Sequence, residues 1–201
     1  MPLFELRCYT LEGDGPSRVV ERLRDHMPPL FARHGFAPVA QWMLSGVSGD
    51  VAPGRLLPPL PAFVWMLAWR DHAARAAAFA GLYADPGFAD ARRATEPNGP
   101  WLTAMHILFL RPTPAHPAAG KPIPLGGQLL LMNERRPGAP LPPPLEGPQL
   151  LAHLEVESGW RLPTSITLTT RSQDDALSAA DAVWHLAPLP HQPMIAGLYP
   201  G

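Results

Sequence analysis

Three polar side chains alternate with apolar residues near the start of the chain, and their types suit the binding of a small polar group. Glu5, Arg7 and Tyr9 fall at every second position of residues 3–11, and side chains two apart in a strand share one face. A Glu–Arg pair would orient a polar ligand, and the tyrosine would donate a hydrogen bond. If the intervening apolar residues lie under helices, this polar row faces the interior of the fold. The alternative is a structural ion pair without a ligand.

Two further polar residues, Gln41 and His106, are expected to join the same face from other strand-like segments. An imidazole with a free edge toward a cavity serves as a general base or a haem ligand, whereas a satisfied, half-buried histidine is only structural. For an enzyme we predict His106 or Glu5 as the base and Arg7 as the group that stabilises a developing oxyanion. The eight histidines show no metal-binding spacing, so we expect no metal and no cofactor.

Aromatic residues form the second candidate group. Trp65 and Trp69 lie four apart in one strand-like segment and therefore share a face. Together with Trp42 and Trp101 they would line a pocket for a flat apolar ligand. The alternative is ordinary packing in a core or an interface. The predicted ligand-binding residues are Tyr9, Gln41, Trp42, Trp65 and Trp69.

The segments that position these groups alternate between two patterns. Strand patterns of period two cover residues 3–11, 36–45, 62–69 and 101–110. Helical spacing covers residues 16–35, with a kink or restart at Pro28-Pro29, and a second helix begins at the N-cap Asp71. The order β-α-β-β-α-β is typical of a ferredoxin-like α+β sheet with both helices on one face. The other face needs an apolar cover.

A second, shorter unit of the same type is predicted in the remainder of the chain. Residues 126–138 have the shape of residues 2–15, a strand that leads into a Pro/Gly turn. Further elements are predicted as a helix near 149–154, a strand over 164–170, a helix from Asp174 or Asp175 and a strand around 183–186. The predicted division is a first domain over 1–117, a Pro-rich linker over 118–125 and a shortened second half over 126–201. The alternative is chance repetition of proline-rich strings.

Composition excludes several classes of function. The chain has 16 basic and 17 acidic residues, a net charge of −1, so no overall field attracts nucleic acid or an anionic membrane. The single cysteine, Cys8, cannot close an internal disulfide and favours a reducing compartment. The first residues lack the features of a signal peptide, and no apolar stretch reaches the ~20 residues that cross a bilayer. We therefore expect a cytoplasmic protein.

Four stretches of the first half resemble the NIPSNAP family of dimeric α/β-barrel proteins. They are FELRCYTL at 4–11, WMLAWRDHAARAAA at 65–78, LYADPGF at 82–88 and ILFLRPTP at 107–114. The most specific part is the Glu-x-Arg-x-Tyr-Thr string that begins at Glu5. Trp69 and Phe88 depart from the Tyr and Trp that are usual in the family. The second half matches weakly, because Gln128, Leu130 and Met132 are predicted to replace the polar row.

The resemblance implies a ferredoxin-like half-barrel that pairs with another half. The pair would be a homodimer or an intramolecular pseudo-dimer made of the tandem halves. Related barrels include cofactor-independent monooxygenases and haem-binding enzymes, so the resemblance implies little specific chemistry. The expected function is to bind or transform a small, partly aromatic molecule in the barrel interior, as a cofactor-independent monooxygenase or isomerase if it is an enzyme. The alternative is a non-catalytic assembly scaffold.

Overall fold

Eight antiparallel strands form a closed barrel. The computed structural model describes residues 3–49, 58–113, 128–134, 150–158, 164–170 and 182–189. The strands are β1 (Leu3–Leu11), β2 (Ala37–Gly49), β3 (Ala62–Trp69), β4 (Leu102–Pro112), β5 (Gln128–Glu134), β6 (Leu150–Ser158), β7 (Thr164–Thr170) and β8 (Ala182–Pro188). Their order around the barrel is β1-β3-β2-β8-β5-β7-β6-β4, and β4 pairs with β1 to close it.

The strand order is the same in the two halves of the barrel. The first half has the order β4-β1-β3-β2, which is that of a ferredoxin-like unit, and β8-β5-β7-β6 repeats it with the corresponding later strands. β2 pairs with β8 and β4 pairs with β6, so each half-sheet joins the other at both edges. The fold is therefore an α+β, ferredoxin-like α/β barrel, as the sequence predicted.

Helices cover the outer face of the first half-sheet. They are α1 (Gly15–Glu21), a π-helical turn (Arg22–His26), α2 (Met27–His34), α3 (His72–Ala84) and α4 (Pro86–Thr95). The predicted restart occurs at Met27, and Pro28 lies in the first turn, where its missing N–H is tolerated. Asp71 caps α3 by accepting a hydrogen bond from Ala74 N at 2.7 Å. In the described parts of the chain, no helix is long and apolar enough to cross a bilayer.

Apolar side chains from all eight strands fill the interior of the barrel. They include Phe4, Leu6, Cys8, Trp42, Met66 and Leu108 from the first half, and Leu130, Met132, Leu154, Ile166, Leu168 and Trp184 from the second. A side-chain hydrogen bond links the halves inside, where the Trp42 indole N–H donates to Gln128 Oε1 at 2.8 Å. Burial raises the pKa of the Cys8 thiol to about 12, so this cysteine stays protonated and unreactive. The interior is a packed core of the kind that small barrels have.

A second apolar cluster lies between the outer face of the first half-sheet and the helices. It contains Phe63, Trp65, Leu67 and Trp69 from β3 and Val19, Leu23, Met27, Phe31, Phe79 and Leu82 from the helical segments. Aromatic rings meet closely in this layer, with ring centroids 5.9 Å apart for Phe31 and Trp65 and 4.8 Å apart for Phe36 and Phe79. This layer surrounds the polar row of β1.

The helix predicted near residues 149–154 is wrong, because this segment belongs to β6. Ala152 and Leu154 face the barrel interior, and His153 between them pairs with Thr167 on the opposite face. The alternation of inward and outward side chains continues as far as Ser158. The six residues 149–154 alone are too few to distinguish this alternation from helical spacing. The predicted linker over 118–125 and the helix predicted from Asp174 or Asp175 lie outside the described residues.

The face assigned to β5 also needs correction. Leu130 and Met132 were expected at the polar positions of β1, but they lie in the barrel interior. They therefore correspond to the apolar side chains of β1, and the outward position between them is Leu131. Because side chains alternate between the two faces of a strand, aligning β5 with β1 one residue out of register assigns every side chain of β5 to the wrong face.

Candidate functional site

The polar row of β1 faces the helices and not the barrel interior. β1 pairs with β3 so that Arg7 lies opposite Trp65, and Trp65 belongs to the cluster under the helices. Phe4, Leu6 and Cys8 fill the interior instead. The expectation that the polar row faces the interior is therefore wrong. The second half-sheet presents an apolar inner surface, and only the apolar side of β1 packs well against it.

Glu5 is a buried carboxylate whose two oxygens are both occupied. Arg75 of α3 donates from Nη2 to Oε1 at 2.9 Å and from Nε to Oε2 at 3.2 Å. The Trp69 indole N–H donates to Oε2 at 2.8 Å. This bidentate pair attaches α3 to the sheet. Glu5 is 0% exposed, so it has the surroundings of a structural residue.

Arg7 is only 3% exposed, and it shares its ion-pair partner, Glu5, with Arg75. Its Nε lies 3.6 Å from Glu5 Oε1, beyond hydrogen-bond distance, and its Nη2 donates to the sulfur of Met105, a weak acceptor, at 2.9 Å. Within the described residues, Arg7 Nε has no hydrogen-bond partner. The guanidinium carbon lies 4.6 Å from the ring centre of Phe79 and 5.5 Å from that of Tyr9. The Arg7 Nε–H group can therefore donate to a further acceptor. Such a bond would remove the free-energy cost of a buried donor without a partner.

A cavity of about 340 Å³ lies beside Arg7, between the half-sheet and the helices. Its apolar and aromatic walls include Tyr9, Leu23, Phe31, Phe63, Trp65, Phe79 and Trp101. Two lining residues, Tyr83 and Met105, are 60% and 45% exposed and mark its mouth. The volume is at the lower end of the roughly 300–1,000 Å³ found for ligand pockets. Of the four tryptophans predicted to line an aromatic pocket, Trp65 and Trp101 line this cavity, which lies outside the barrel, and Trp42 and Trp69 do not.

Tyr9 and Trp65 add two donors beside Arg7. Trp65 is 5% exposed, and its Nε1 makes no hydrogen bond of standard geometry within the described residues. Burial raises the pKa of Tyr9 to about 12, although the Arg7 charge and the Trp65 indole act in the opposite direction. Tyr9 therefore keeps its proton at neutral pH and remains a donor. Arg7, Tyr9 and Trp65 together give the cavity a wall with three N–H or O–H donor groups.

Arginines and one carboxylate form the charged part of the cavity wall. Glu96 accepts hydrogen bonds from Arg22 Nη2 at 2.9 Å and from Arg92 Nη2 at 3.0 Å. Burial opposes ionisation, but the hydrogen bonds from Arg92 and Arg22 lower the pKa of Glu96 below its usual value. Arg22 also stacks over Trp101, with 4.6 Å from the guanidinium carbon to the ring centre. With Arg7 included, three arginines and one carboxylate line the cavity, which gives it a positive character.

Sequence reasoning missed the charged residues of this wall. Helical spacing identifies Leu23 as part of an apolar face, but it does not indicate that its neighbour Arg22 reaches Glu96, which lies 74 positions later. Arg75 was equally hidden, although it lies in one of the stretches that carry the family resemblance. A buried carboxylate in β1 is the one signal that calls for such an arginine, because buried charges need partners.

His106 does not join the polar row. It pairs with Cys8 across β1 and β4, so its position is on the face opposite to Arg7. It is an exposed residue in the first part of β4, where β4 pairs with β1; among the described residues, the pairing of β4 with β6 begins at Phe109. The expectation that His106 shares a face with Arg7 is therefore wrong.

The three remaining predicted residues lie in different places. Gln41 is buried and pairs with Trp65, so its position is on the outer face, but it is not among the residues that line the cavity. Trp42 lies in the barrel interior, and Trp69 donates to Glu5. Of the eight predicted site residues, the cavity wall contains Arg7, Tyr9 and Trp65. Among the described residues, no three His, Cys, Asp or Glu side chains are placed to hold a metal ion.

Asp85 connects the helices that enclose the cavity. Its Oδ2 accepts hydrogen bonds from His34 Nε2 at 2.7 Å and Arg33 Nη1 at 2.6 Å, both at the end of α2. Its Oδ1 accepts from Gly87 N at 2.8 Å and so caps α4. These bonds, that from His34 first, lower the pKa of Asp85 to about 2. Both helices carry cavity-lining residues, namely Phe31 and Phe88.

Fold and site together define an α/β-barrel protein with a cavity between its first half-sheet and the helices. The NIPSNAP family model matches residues 4–117, which is more than half of the chain. The protein therefore belongs to the NIPSNAP family. Comparison with curated proteins gives no significant match.

Solved structures show a similar fold. A protein from Fusobacterium nucleatum, provisionally named a monooxygenase, matches 98% of this chain over 96% of its own, with a TM-score of 0.53 and 8% identity. A NIPSNAP family protein from Agrobacterium tumefaciens matches 59% of this chain over 99% of its own, with a TM-score of 0.44 and 15% identity. An uncharacterised NIPSNAP domain protein from Burkholderia xenovorans matches 57% of this chain over 98% of its own, with a TM-score of 0.39 and 22% identity. At 8% identity, the likeness to the Fusobacterium nucleatum protein concerns the fold alone.

Proposed function

We propose that this protein binds a small, partly aromatic molecule in the cavity between the first half-sheet and the helices. One observation carries the proposal: the cavity of about 340 Å³ has aromatic walls and, at Arg7 Nε and Trp65 Nε1, two buried N–H groups that make no hydrogen bond of standard geometry among the described residues. A ligand with an aromatic body would pack against the rings. A polar end would satisfy the donors, which otherwise remain a cost to the folded state.

The proposed role is binding and not catalysis. Both predicted bases are poorly placed, because Glu5 is held by Arg75 and Trp69 and His106 is on the opposite face of the sheet. The acidic residue of the cavity wall, Glu96, has a lowered pKa and two arginine partners, so it is a weak base. The barrel interior is an unsuitable location for a ligand, since side chains from both halves fill it.

A scaffold role has less support than ligand binding. An assembly scaffold would use the sheet to recruit another half-sheet, but the eight strands of one chain close the barrel. We propose that the chain acts as an intramolecular pseudo-dimer, in a reducing compartment such as the cytoplasm, where its single cysteine needs no partner.

Isothermal titration calorimetry with 1-naphthylacetamide, a neutral bicyclic aromatic, tests the proposal. We expect saturable 1:1 binding to the native chain. Leu23→Trp places an indole where a cavity-lining leucine stood and should abolish that binding. Ala77→Trp adds the same indole to an exposed position of α3 and should leave the binding unchanged. Equal binding by both variants would show that the probe does not occupy this cavity.

A further inference from the structure

We infer that the ligand of this cavity carries a singly charged oxygen acid, a carboxylate, that binds Arg7; the inference rests on the proposed function and specifies its ligand class. Arg7 is a cation removed from water, and the carboxylate nearest to it, that of Glu5, is already bound by the bidentate Arg75. The remaining 3.6 Å contact between Arg7 Nε and Glu5 Oε1 positions the guanidinium without occupying its N–H group.

The residues around Arg7 suit an anionic acceptor. The Trp65 indole N–H and the Tyr9 hydroxyl, which keeps its proton, lie on the same face of the sheet and line the same cavity. A carboxylate has two oxygens that accept only, so it can receive hydrogen bonds from Arg7 and from these neighbours at once. A neutral ligand end would add no negative charge beside Arg7, which has only a share of the Glu5 carboxylate because Arg75 pairs with it more closely.

The charges of the cavity wall favour the same class of ligand. Arg22 and Arg92 share the single carboxylate of Glu96, and Arg7 adds a further positive charge. An entering anion therefore meets a positive surface inside apolar surroundings, where charge interactions are less screened than in water. The aromatic walls accommodate the rest of the molecule, so an aryl-substituted carboxylic acid is the chemical class that fits both features.

A matched pair of probes separates the carboxylate from the aromatic body. 1-Naphthylacetate and 1-naphthylacetamide have nearly the same shape and differ in the charge of one group. By titration calorimetry we expect the native chain to bind the acetate at least about tenfold more tightly, as a charge-assisted hydrogen bond predicts. Equal affinities would overturn the inference while leaving the cavity proposal standing. If neither probe binds, the proposed function fails, and the inference fails with it.

Variants of Arg7 show which residue recognises the charge. In R7M, where a thioether replaces the guanidinium, the preference for the acetate should disappear because its affinity falls to that of the amide. R7K retains the charge but not the planar fork, and it should keep part of the preference. R70M removes an arginine that is exposed and outside the cavity, and it should bind both probes as the native chain does.

A preference for the acetate that persists in R7M would overturn the inference. If R7M does not fold, R7K and R22M take its place. The inference would be overturned if R7K kept the full preference for the acetate while R22M lost that preference.

Discussion

The two faces of the first half-sheet differ sharply in what they hold. The inner face contributes Phe4, Leu6 and Cys8 to a core that all eight strands share, and this core is filled. The outer face carries Arg7 and Tyr9 under the helices, beside a cavity of about 340 Å³. The alternation of one strand therefore separates two roles, since one face of β1 joins the halves of the barrel and the other face forms the candidate site.

The outer face is also the face on which charged residues find partners. A charge in the barrel interior would have to be paired by residues of other strands, and the interior side chains of the described strands are almost all apolar. On the outer face, α3 supplies Arg75 for Glu5 at 2.9 Å. Helices offer long side chains at short sequence spacing, so a layer between helix and sheet admits buried ion pairs more readily than the interior of a small barrel.

The largest effect should come from removal of the half-sheet that covers the inner face. A chain that ends at Gly120 keeps β1 to β4 with their helices but exposes Leu6, Trp42 and Met66, which the second half otherwise buries. An exposed apolar surface of this size promotes association. We expect the truncated chain to dimerise or aggregate, as measured by size-exclusion chromatography with light scattering.

The chain of 201 residues, purified in the same way, is the control for this truncation. We expect it to elute at the mass of one chain, because its own strands close the barrel. A truncated chain that stays monomeric at high concentration would contradict the assignment of the inner face as the joining face.

The four strands of the first half, their order and the family could be predicted from the sequence, but β6 and the face that forms the site could not. Alternation shows that Arg7 and Leu6 lie on opposite faces, yet it does not show which face meets the helices. Which face meets the helices depends on how the apolar second half-sheet packs against the first. The sequence comparison aligned β5 with β1 one residue out of register, with Leu130 in the place of Arg7. The cavity also depends on pairs such as Arg22 and Glu96, which local patterns do not reveal.

A smaller but sharper effect should distinguish two adjacent residues of β1. Leu6→Ala leaves a hole in the filled interior and should lower the free energy of unfolding by about 2–5 kcal/mol. Arg7→Met replaces an incompletely paired buried cation with an apolar side chain of similar length, so it should change stability by less than about 1 kcal/mol. Urea unfolding followed by far-UV circular dichroism measures both values.

The same pair of variants should show the reverse order in ligand binding. Leu6→Ala should retain the preference for 1-naphthylacetate, because Leu6 does not line the cavity, whereas Arg7→Met should lose it. If Leu6→Ala is tolerated and Arg7→Met is strongly destabilising, the inner face is not the packed one and the comparison of the two faces is reversed.

The smallest effect concerns Asp85, which joins α2 to α4 on the helix side. Its pKa in the folded protein is about 2, lowered first by the hydrogen bond from His34 and then by that from Arg33. An unfolded aspartate has a pKa of about 3.9. Because the folded value is the lower one, the ionised carboxylate contributes stability above about pH 4, and this contribution is lost as the pH falls toward 2.

Asp85→Asn tests this contribution, because asparagine retains the capping oxygen for Gly87 N but removes the charge that His34 and Arg33 contact. We expect the variant to unfold at a lower urea concentration than the native chain at pH 7. The difference between the two midpoints should stay constant down to about pH 4 and then narrow. A difference that is unchanged at pH 3 would show that Asp85 acts through the shape of its hydrogen bonds and not through its charge. In that case packing and capping alone, and not charge, would join α2 to α4 beside the cavity. The same substitution at Glu96, Glu96→Gln, would then show whether its ion pairs with Arg22 and Arg92 act through charge.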